Sequence, residues 1–86
     1  MKKRKNNTSS KFNLSIADRI DKLRKAKSLS WGALAYISGV SKGGMSEIKN
    51  GLIEPKLSTL CKIAAGLDMS PVEFLSFNID TSEFAE

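Results

Sequence analysis

The sequence predicts an all-α fold of five short helices in a single compact domain of 86 residues. Apolar residues recur three and four positions apart along most of the chain, which is the spacing of amphipathic helices. Serines suited to capping and glycines or prolines suited to helix ends separate these stretches. No stretch alternates apolar and polar residues as a half-buried strand would, so an all-helical domain is expected.

The first helix is predicted over residues 15–27. Its start is placed at Ser15, because Ser15 and Asp18 resemble a capping box with aspartate in place of glutamate. Its apolar stripe consists of Ile16, Ile20 and Leu23. Three cations lie in its last turns, where their interaction with the negative end of the helix dipole is favourable: Arg24, Lys25 and Lys27. Phosphate contact is the weaker interpretation for these three residues.

The stretch from Ser30 to Gly51 predicts two short helices joined by a turn that contains glycine. Ser30 and Ser41 are suitable caps, and Gly39 can adopt the left-handed conformation past the end of a helix. In such a helix-turn-helix unit, the second helix is the one that can lie in the DNA major groove. The predicted bounds are Trp31–Ser38 and Lys42–Asn50.

Two further helices follow a break at Glu54–Pro55, since the residue before proline is pushed out of the helical region. The fourth helix is predicted from Leu57 to Gly66, without a strong cap at its start. The fifth begins with a cap, a proline and a glutamate three residues after the cap, and ends by Phe77. These three residues are Ser70, Pro71 and Glu73.

The two ends are predicted to differ from the helix-turn-helix domain of residues 13–77. Residues 1–12 form a flexible basic arm that either contacts DNA or is a solvated terminus. Residues 78–86 form an acidic tail, but Ile79 and Phe84 are too apolar for a purely solvated segment. Packing against the core or disorder is favoured over a dimer surface for this tail. Four consecutive bases of the arm form its basic cluster: Lys2, Lys3, Arg4 and Lys5.

Charge is distributed unevenly along the chain, whose net charge is +5. Residues 1–62 hold all fourteen bases and four acids, a net charge of +10, whereas residues 63–86 hold five acids and no base. A positive half suits a polyanion such as nucleic acid, and a negative end would point away from it.

The composition argues against catalysis, a metal site and a cofactor. The chain has no histidine and a single cysteine, Cys61, which we interpret as an inert apolar residue of the fourth helix. No apolar run approaches the length of a membrane span, and no signal-peptide core follows the basic N-terminus. The sequence therefore predicts a cytoplasmic protein with no metal and no membrane partner.

A set of residues spread over most of the chain resembles a known family. They are Arg19–Lys25, Leu29–Ser30, Leu34–Ala35, Gly39–Ser41, Met45–Ile48, Asn50–Gly51, Pro55, Leu57, Thr59–Leu60, Ile63–Ala64, Leu67 and Phe74–Leu75. On these residues the chain resembles the Cro/C1-type helix-turn-helix domain of the XRE family, which is lambda-repressor-like. The resemblance implies a five-helix domain that binds double-stranded DNA, usually as a homodimer on a palindromic operator, in bacteria or their phages.

The leading functional hypothesis is a sequence-specific DNA-binding transcriptional regulator, most simply a repressor that acts by occupying its operator. The alternative is a protein-interaction or antitoxin-like module on the same scaffold, with weakened base reading. A steep fall of duplex affinity with salt would distinguish the first from the second.

The resemblance places candidate DNA-binding residues on the third helix. Ser41 can cap this helix and still face the DNA backbone, and Lys42 can reach a guanine or a phosphate. One turn later, Glu47 occupies a position that often reads bases, where a carboxylate can accept from cytosine but repels phosphates. Ser46 and Lys49 are candidate partners of the DNA backbone.

Two further candidates lie outside that helix. Trp31 stands where the family commonly has a glutamine that contacts a phosphate; the indole can donate one hydrogen bond or pack on a sugar. A role in covering the core is slightly favoured for Trp31. The loop Asn50–Gly51 could offer backbone N–H donors to a phosphate, a use that the family suggests.

Gly43 and Gly44 occupy positions where base-reading side chains are expected, and together they destabilise the helix by about 2 kcal/mol relative to alanines. Three explanations remain open. The glycines allow a close approach to DNA, they leave the helix end loose until DNA orders it, or base reading has weakened in favour of DNA shape.

Overall fold

The structure is a computed structural model that describes residues 10–84. This part of the chain contains five α-helices, a final 3₁₀ turn and no strand. The predicted all-α fold with five helices is therefore confirmed. In chain order the elements are α1 Lys11–Ala26, α2 Trp31–Ser38, α3 Lys42–Lys49, α4 Leu57–Gly66, α5 Pro71–Phe74 and the 3₁₀ turn Ser82–Phe84.

The core lies where α1, α2, α3, α4 and α5 meet, and every helix contributes at least one buried apolar side chain. Full burial of a side chain of this size contributes about 1.5–3 kcal/mol relative to leaving it exposed. The predicted apolar stripes of the helices therefore face one common core. The buried set is Ile16, Ile20, Leu34, Ala35, Met45, Ile48, Leu60, Ile63, Ala64, Leu67 and Phe74.

Helices α2 and α4 approach each other closely at Ser38 and Gly66. A Cβ atom added to Gly66 would lie 3.3 Å from Cβ and 3.4 Å from Cα of Ser38. Since both of those atoms belong to a buried residue on a packed helix, a larger side chain at Gly66 would push the helices apart. The sequence-based interpretation treated Gly66 only as a helix end and missed this contact.

The predicted start of α1 at Ser15 is wrong, because the helix begins four residues earlier, at Lys11. Ser10 is its cap, and the Ser10 hydroxyl accepts from the backbone N–H of Asn13 at 2.9 Å. Ser15 lies inside the helix, where its hydroxyl donates to the carbonyl of Phe12 at 2.8 Å. Asp18 forms a surface ion pair with Lys22 rather than a capping box. Most of the predicted basic arm, residues 1–9, lies outside the described residues.

A contact with the last part of the chain adds to the Ser10 cap at the start of α1. The Glu83 carboxylate accepts from the backbone N–H of Phe12 at 3.1 Å, so it occupies a donor that the helix itself leaves unpaired. The rings of Phe12 and Phe84 meet edge to face with centroids 5.2 Å apart. The backbone N–H of Asp80 donates to the Ser15 hydroxyl at 3.1 Å. Residues 78–84 therefore pack against α1, which is one of the two alternatives, packing or disorder, that the sequence favoured for this tail.

The turn that carries Glu83 is itself held by hydrogen bonds. The hydroxyl and the backbone N–H of Ser82 both donate to Oδ1 of Asp80, at 2.6 and 3.0 Å. These two bonds, together with the charge of Lys11, hold the pKa of Asp80 below its ordinary value. A local hydrogen-bonded turn thus directs Glu83 and Phe84 towards the start of α1.

Replacing Phe84 with alanine is expected to fray the first turn of α1 and to lower the free energy of unfolding by about 1 kcal/mol, the scale of an aromatic pair. Amide hydrogen exchange of Asn13 and Leu14 should accelerate, while the amides of α4 keep their protection. Val72→Ala is the matched control, because Val72 is a large apolar side chain that is 81% exposed. Unchanged exchange at Asn13 in Phe84→Ala would show that residues 78–84 do not hold this turn.

The other helix ends agree more closely with their predicted bounds. Helix α4 spans the predicted residues and lacks a side-chain cap. Helix α5 has the predicted capping box between Ser70 and Glu73, with Pro71 at its first position. An unpredicted contact closes its C-terminal end: the Arg19 guanidinium donates to the carbonyls of Glu73 and Phe74 at 2.9 and 3.0 Å. Cys61 is partly buried on α4.

Candidate nucleic-acid interface

The turn between α2 and α3 has the geometry that the sequence predicts. Gly39 ends α2 in the left-handed region, with φ 72°, where a glycine is free of the steric penalty of a Cβ atom. The N–H of Val40 returns to the carbonyl of Ala35 at 3.0 Å, which closes the end of the helix. Ser41 then caps α3, and its hydroxyl accepts from the N–H of Gly44 at 3.0 Å. Three residues thus connect the two helices and fix their crossing.

Helix α3 has one buried and one exposed face. Met45 and Ile48 are each 2% exposed and fill the space against α1 and α2. The opposite face presents polar and charged side chains to solvent at the spacing of successive helical turns. These exposed residues are Lys42, Gly43, Ser46, Glu47, Lys49 and the C-cap Asn50. The structure therefore brings the candidate residues of α3 onto a single surface.

The two glycines of α3 differ in their surroundings. A Cβ atom added to Gly43 would meet nothing within 4 Å. A Cβ atom added to Gly44 would lie 3.0 Å from the Ser41 hydroxyl that caps the helix. Both glycines are in regular helical conformation, so no positive φ requires them. Nothing within the described part of the chain therefore requires a glycine at position 43.

Gly43→Ala is expected to stabilise the free protein by about 0.5–1 kcal/mol, because alanine fits the helix and restricts the unfolded chain. Gly44→Ala should gain less, since its methyl group crowds the capping hydroxyl of Ser41. Urea unfolding of the two variants in parallel measures the difference. A destabilised Gly43→Ala protein would mean that the open space at this position is filled by another part of the chain.

The turn after α3 does not offer the backbone donors that were suggested for it. The N–H groups of Asn50, Gly51 and Leu52 donate to the carbonyls of Ser46, Ile48 and Glu47 at 2.9–3.0 Å. The side-chain amide of Asn50 also donates to the carbonyl of Ser46, at 3.0 Å. A backbone N–H that already closes a turn is not free for a phosphate in this conformation, and contact of the Asn50–Gly51 loop with a phosphate stays a prediction.

Trp31 lies in the angle between α1, α2 and α3. It is partly buried and packs against the core, in agreement with the favoured interpretation. It also forms one wall of a groove between α2 and α3 that Lys42, Ser46 and Lys49 border. Two cations stand over its ring: the Arg24 guanidinium carbon and Lys49 Nζ are 5.1 and 5.9 Å from the ring centroid. Trp31 thus joins the core to the exposed face of α3.

Arg24 is fixed by the elements around it. It pairs with Asp21 one turn earlier on α1, and its Nη1 donates to the carbonyl of Leu29 at 3.1 Å. Hydrogen bonds from Lys25 first, and from Arg24, hold the pKa of Asp21 below its ordinary value of 3.8. The Arg24 side chain is only 18% exposed. Arg24 therefore supports Trp31 and the α1–α2 turn rather than reaching into solvent.

Residues 10–84 contain neither a cluster of metal ligands nor a membrane-spanning helix. No three His, Cys, Asp or Glu side chains in this range come together as metal ligands would. No helix in the same range is long and apolar enough to cross a membrane.

Five helices around one core, with two of them joined by a tight turn and exposing one face, define a lambda-repressor-like helix-turn-helix domain. The chain belongs to the helix-turn-helix family HTH_3, whose model matches residues 20–74, more than half of the chain. No curated protein sequence matches it.

Solved structures with a similar fold include three proteins of related sequence. An HTH_3 family transcriptional regulator from Vibrio cholerae is 40% identical with a TM-score of 0.69, over 76% of this chain and 36% of that one. The restriction-modification controller protein C.AhdI from Aeromonas hydrophila is 30% identical with a TM-score of 0.68, over 73% and 96%. The SinR protein/SinI protein complex is 33% identical with a TM-score of 0.65, over 83% and 67%. The present chain thus spans 36% of the Vibrio cholerae protein.

Proposed function

We propose that this chain is a sequence-specific DNA-binding transcriptional regulator, and that it represses by occupying its operator. The observation that carries the proposal is the exposed face of α3, which presents Lys42, Ser46, Glu47 and Lys49 together beside a tightly built turn. Membership of the helix-turn-helix family supports it, as do similar structures that are a transcriptional regulator and a restriction-modification controller.

In this proposal α3 enters the major groove of double-stranded DNA with its N-terminal end first. Lys42 donates to guanine acceptors or a phosphate, and Ser41 faces the backbone while it caps the helix. Glu47 accepts from a cytosine amino group. Ser46 and Lys49 contact the sugar-phosphate backbone, with Asn50 at the C-terminal edge of the same surface.

Gly43 and Gly44 have an intermolecular explanation in this arrangement. A Cβ atom at Gly43 would point into open space on the exposed face, so the packing of the free protein does not require glycine there. If the DNA approaches the first turn of α3 closely, a methyl group at this position would collide with it, and glycine avoids that collision. Gly43→Ala is then expected to weaken operator binding although it stabilises the free protein, and an unchanged Kd at fixed salt would favour readout of DNA shape instead.

The two ends of the chain carry opposite charge. Asp80 and Glu83 lie at the start of α1, where the Glu83 carboxylate accepts a hydrogen bond from the Phe12 N–H. The proposed division is a basic arm over residues 1–12, whose last two residues belong to α1, a domain over 13–77 and an acidic tail over 78–86, part of which packs on α1. In this division the arm makes a sequence-independent, salt-sensitive contribution to DNA binding.

The proposal includes a homodimer on a palindromic site, with half-sites about 34 Å apart, one turn of DNA. It also includes a cytoplasmic location and a function without catalysis, cofactor, metal or membrane. The alternative is a protein-interaction or antitoxin-like module on this scaffold. One observation favours it: two adjacent positions at the start of α3 are glycines, which have no side chain to read bases.

The experiment is selection of bound sequences from a random duplex pool, followed by anisotropy titration of the selected duplex at several salt concentrations. We expect one enriched motif with two-fold symmetry, and a logarithm of affinity that falls linearly with the logarithm of salt concentration. Enrichment of no motif, with negligible binding at low salt, would support the protein-interaction module.

A further inference from the structure

The geometry points to Trp31 as a positioning residue: its ring holds the ammonium group of Lys49 in place for a DNA phosphate, instead of contacting DNA through the indole N–H. This inference rests on the proposed function and deepens it. It assigns the unusual aromatic residue at the start of α2 a role that acts through α3.

The ring of Trp31 is fixed from the protein side. It packs against the core cluster, and the guanidinium carbon of Arg24 lies 5.1 Å from its centroid. Arg24 cannot easily turn away, because Asp21 and the carbonyl of Leu29 both bind it. The ring therefore offers a surface whose position is set by α1 and by the turn after it.

Lys49 is the contact on the α3 side. It is the last residue of α3, and its Nζ lies 5.9 Å from the centroid of the Trp31 ring. An ammonium group within about 6 Å of an indole face is attracted by the negative face of the ring. An unrestrained lysine side chain samples many rotamers. A lysine side chain that is already held in its bound conformation loses less conformational entropy on binding.

The position of this pair explains why the restraint matters. Trp31 and Lys49 border the same groove as Lys42 and Ser46, on the side of the domain that presents α3. A lysine at the C-terminal end of α3 is one helix length away from Lys42, so the two cations mark opposite ends of the exposed face. Fixing Lys49 fixes the second end of the surface that would follow a DNA backbone.

A role in covering the core alone predicts something different. In that case a smaller apolar side chain at Trp31 would destabilise the domain, and any loss of DNA affinity would be independent of Lys49. A role as a direct hydrogen-bond donor predicts that loss of the indole N–H is as damaging as loss of the ring.

The test is a double-mutant cycle on the full chain with the selected duplex, using Trp31→Leu, Lys49→Ala and the double variant. We expect each single variant to weaken binding about 5-fold, and the double variant to bind no worse than about 2-fold below Lys49→Ala, since coupled residues are non-additive. Trp31→Phe keeps a ring but lacks the N–H, and should recover most of the affinity lost in Trp31→Leu. Lys42→Ala combined with Trp31→Leu is the control, where the losses should multiply.

A measurement on the free protein accompanies the cycle. The side-chain methylene protons of Lys49 should be shifted upfield by the ring in the wild-type NMR spectrum and should return to ordinary values in Trp31→Leu. Multiplying losses in the Trp31–Lys49 cycle, equal losses in Trp31→Phe and Trp31→Leu, or no ring-current shift would each overturn the inference. Absence of DNA binding by the wild-type protein would overturn the proposed function, and with it the role of Trp31 in DNA binding. An intact ring-current shift in that case would show that the Trp31–Lys49 contact exists and that the proposed function is the part that failed.

Discussion

Replacing Ala35 with leucine is expected to lower the free energy of unfolding by about 3 kcal/mol, the upper part of the range for overpacking a filled core. Ala35 is 1% exposed, and it lies on the face of α2 that meets the core. Its neighbours in the groove between α2 and α3 include Met45, which is itself buried. Three additional carbon atoms at this position must displace α3 from α2.

The matched control is Ala65→Leu, the same substitution at an exposed position of α4. A surface substitution of this kind changes stability by about 0.5 kcal/mol or less. Thermal and urea unfolding followed by circular dichroism measures both variants. Equal stability of the two leucine variants would mean that α2 and α3 do not cross as closely as the structure places them.

Replacing Lys42 with alanine is expected to weaken operator binding by about 10-fold or more, because one good contact to a guanine or phosphate contributes about 1–3 kcal/mol. Lys42 is exposed at the first position of α3, and no ion pair to another described residue involves it. Its removal should therefore leave the free energy of unfolding close to that of the parent protein.

Lys22→Ala is the matched control for charge. Lys22 is also exposed, but it lies on α1 beside Phe77 and Asn78 and pairs with Asp18. Both variants lower the net charge by the same amount, so a general charge effect would weaken binding equally. Anisotropy titration at several salt concentrations separates the two cases, and equal losses in the two variants would show that α3 is not the recognition helix.

The sequence predicts most closely those elements whose ends are determined locally. Ser30, Gly39 and Ser41 set the ends of α2 and the start of α3 within a few residues of themselves, and the structure agrees with the predicted bounds except that α3 ends at Lys49, with Asn50 as its C-cap. The same holds for the capping box at the start of α5. Each of these signals depends on hydrogen bonds between residues at most five positions apart.

The differences arise where distant parts of the chain meet. The start of α1 is also stabilised by Glu83 and Phe84, more than seventy positions away, and no local pattern could predict that contact. The contact of Arg19 with the end of α5 has the same origin. One local signal was available: Ser10 precedes Phe12 and is a good cap, but the polar residues before it favoured a loose arm.

The candidate interface shows the same division. The exposed face of α3 follows from the helical spacing of Met45 and Ile48, which the sequence displays. The support of Trp31 by Arg24 and its contact with Lys49 depend on the packing of α1 against α2 and α3, which the sequence does not display. The internal use of the N–H groups after α3 likewise depends on how the turn closes.

Contact between the exposed face of α3 and double-stranded DNA is the basis of the proposed function. The most direct test is an NMR titration of the isotope-labelled protein with the selected duplex. We expect the largest amide shifts within residues 41–50 and at Trp31, while α5 and the exposed side of α1 around Lys22 change little. Shifts confined to α5 or to residues 78–84, with none in α3, would contradict it.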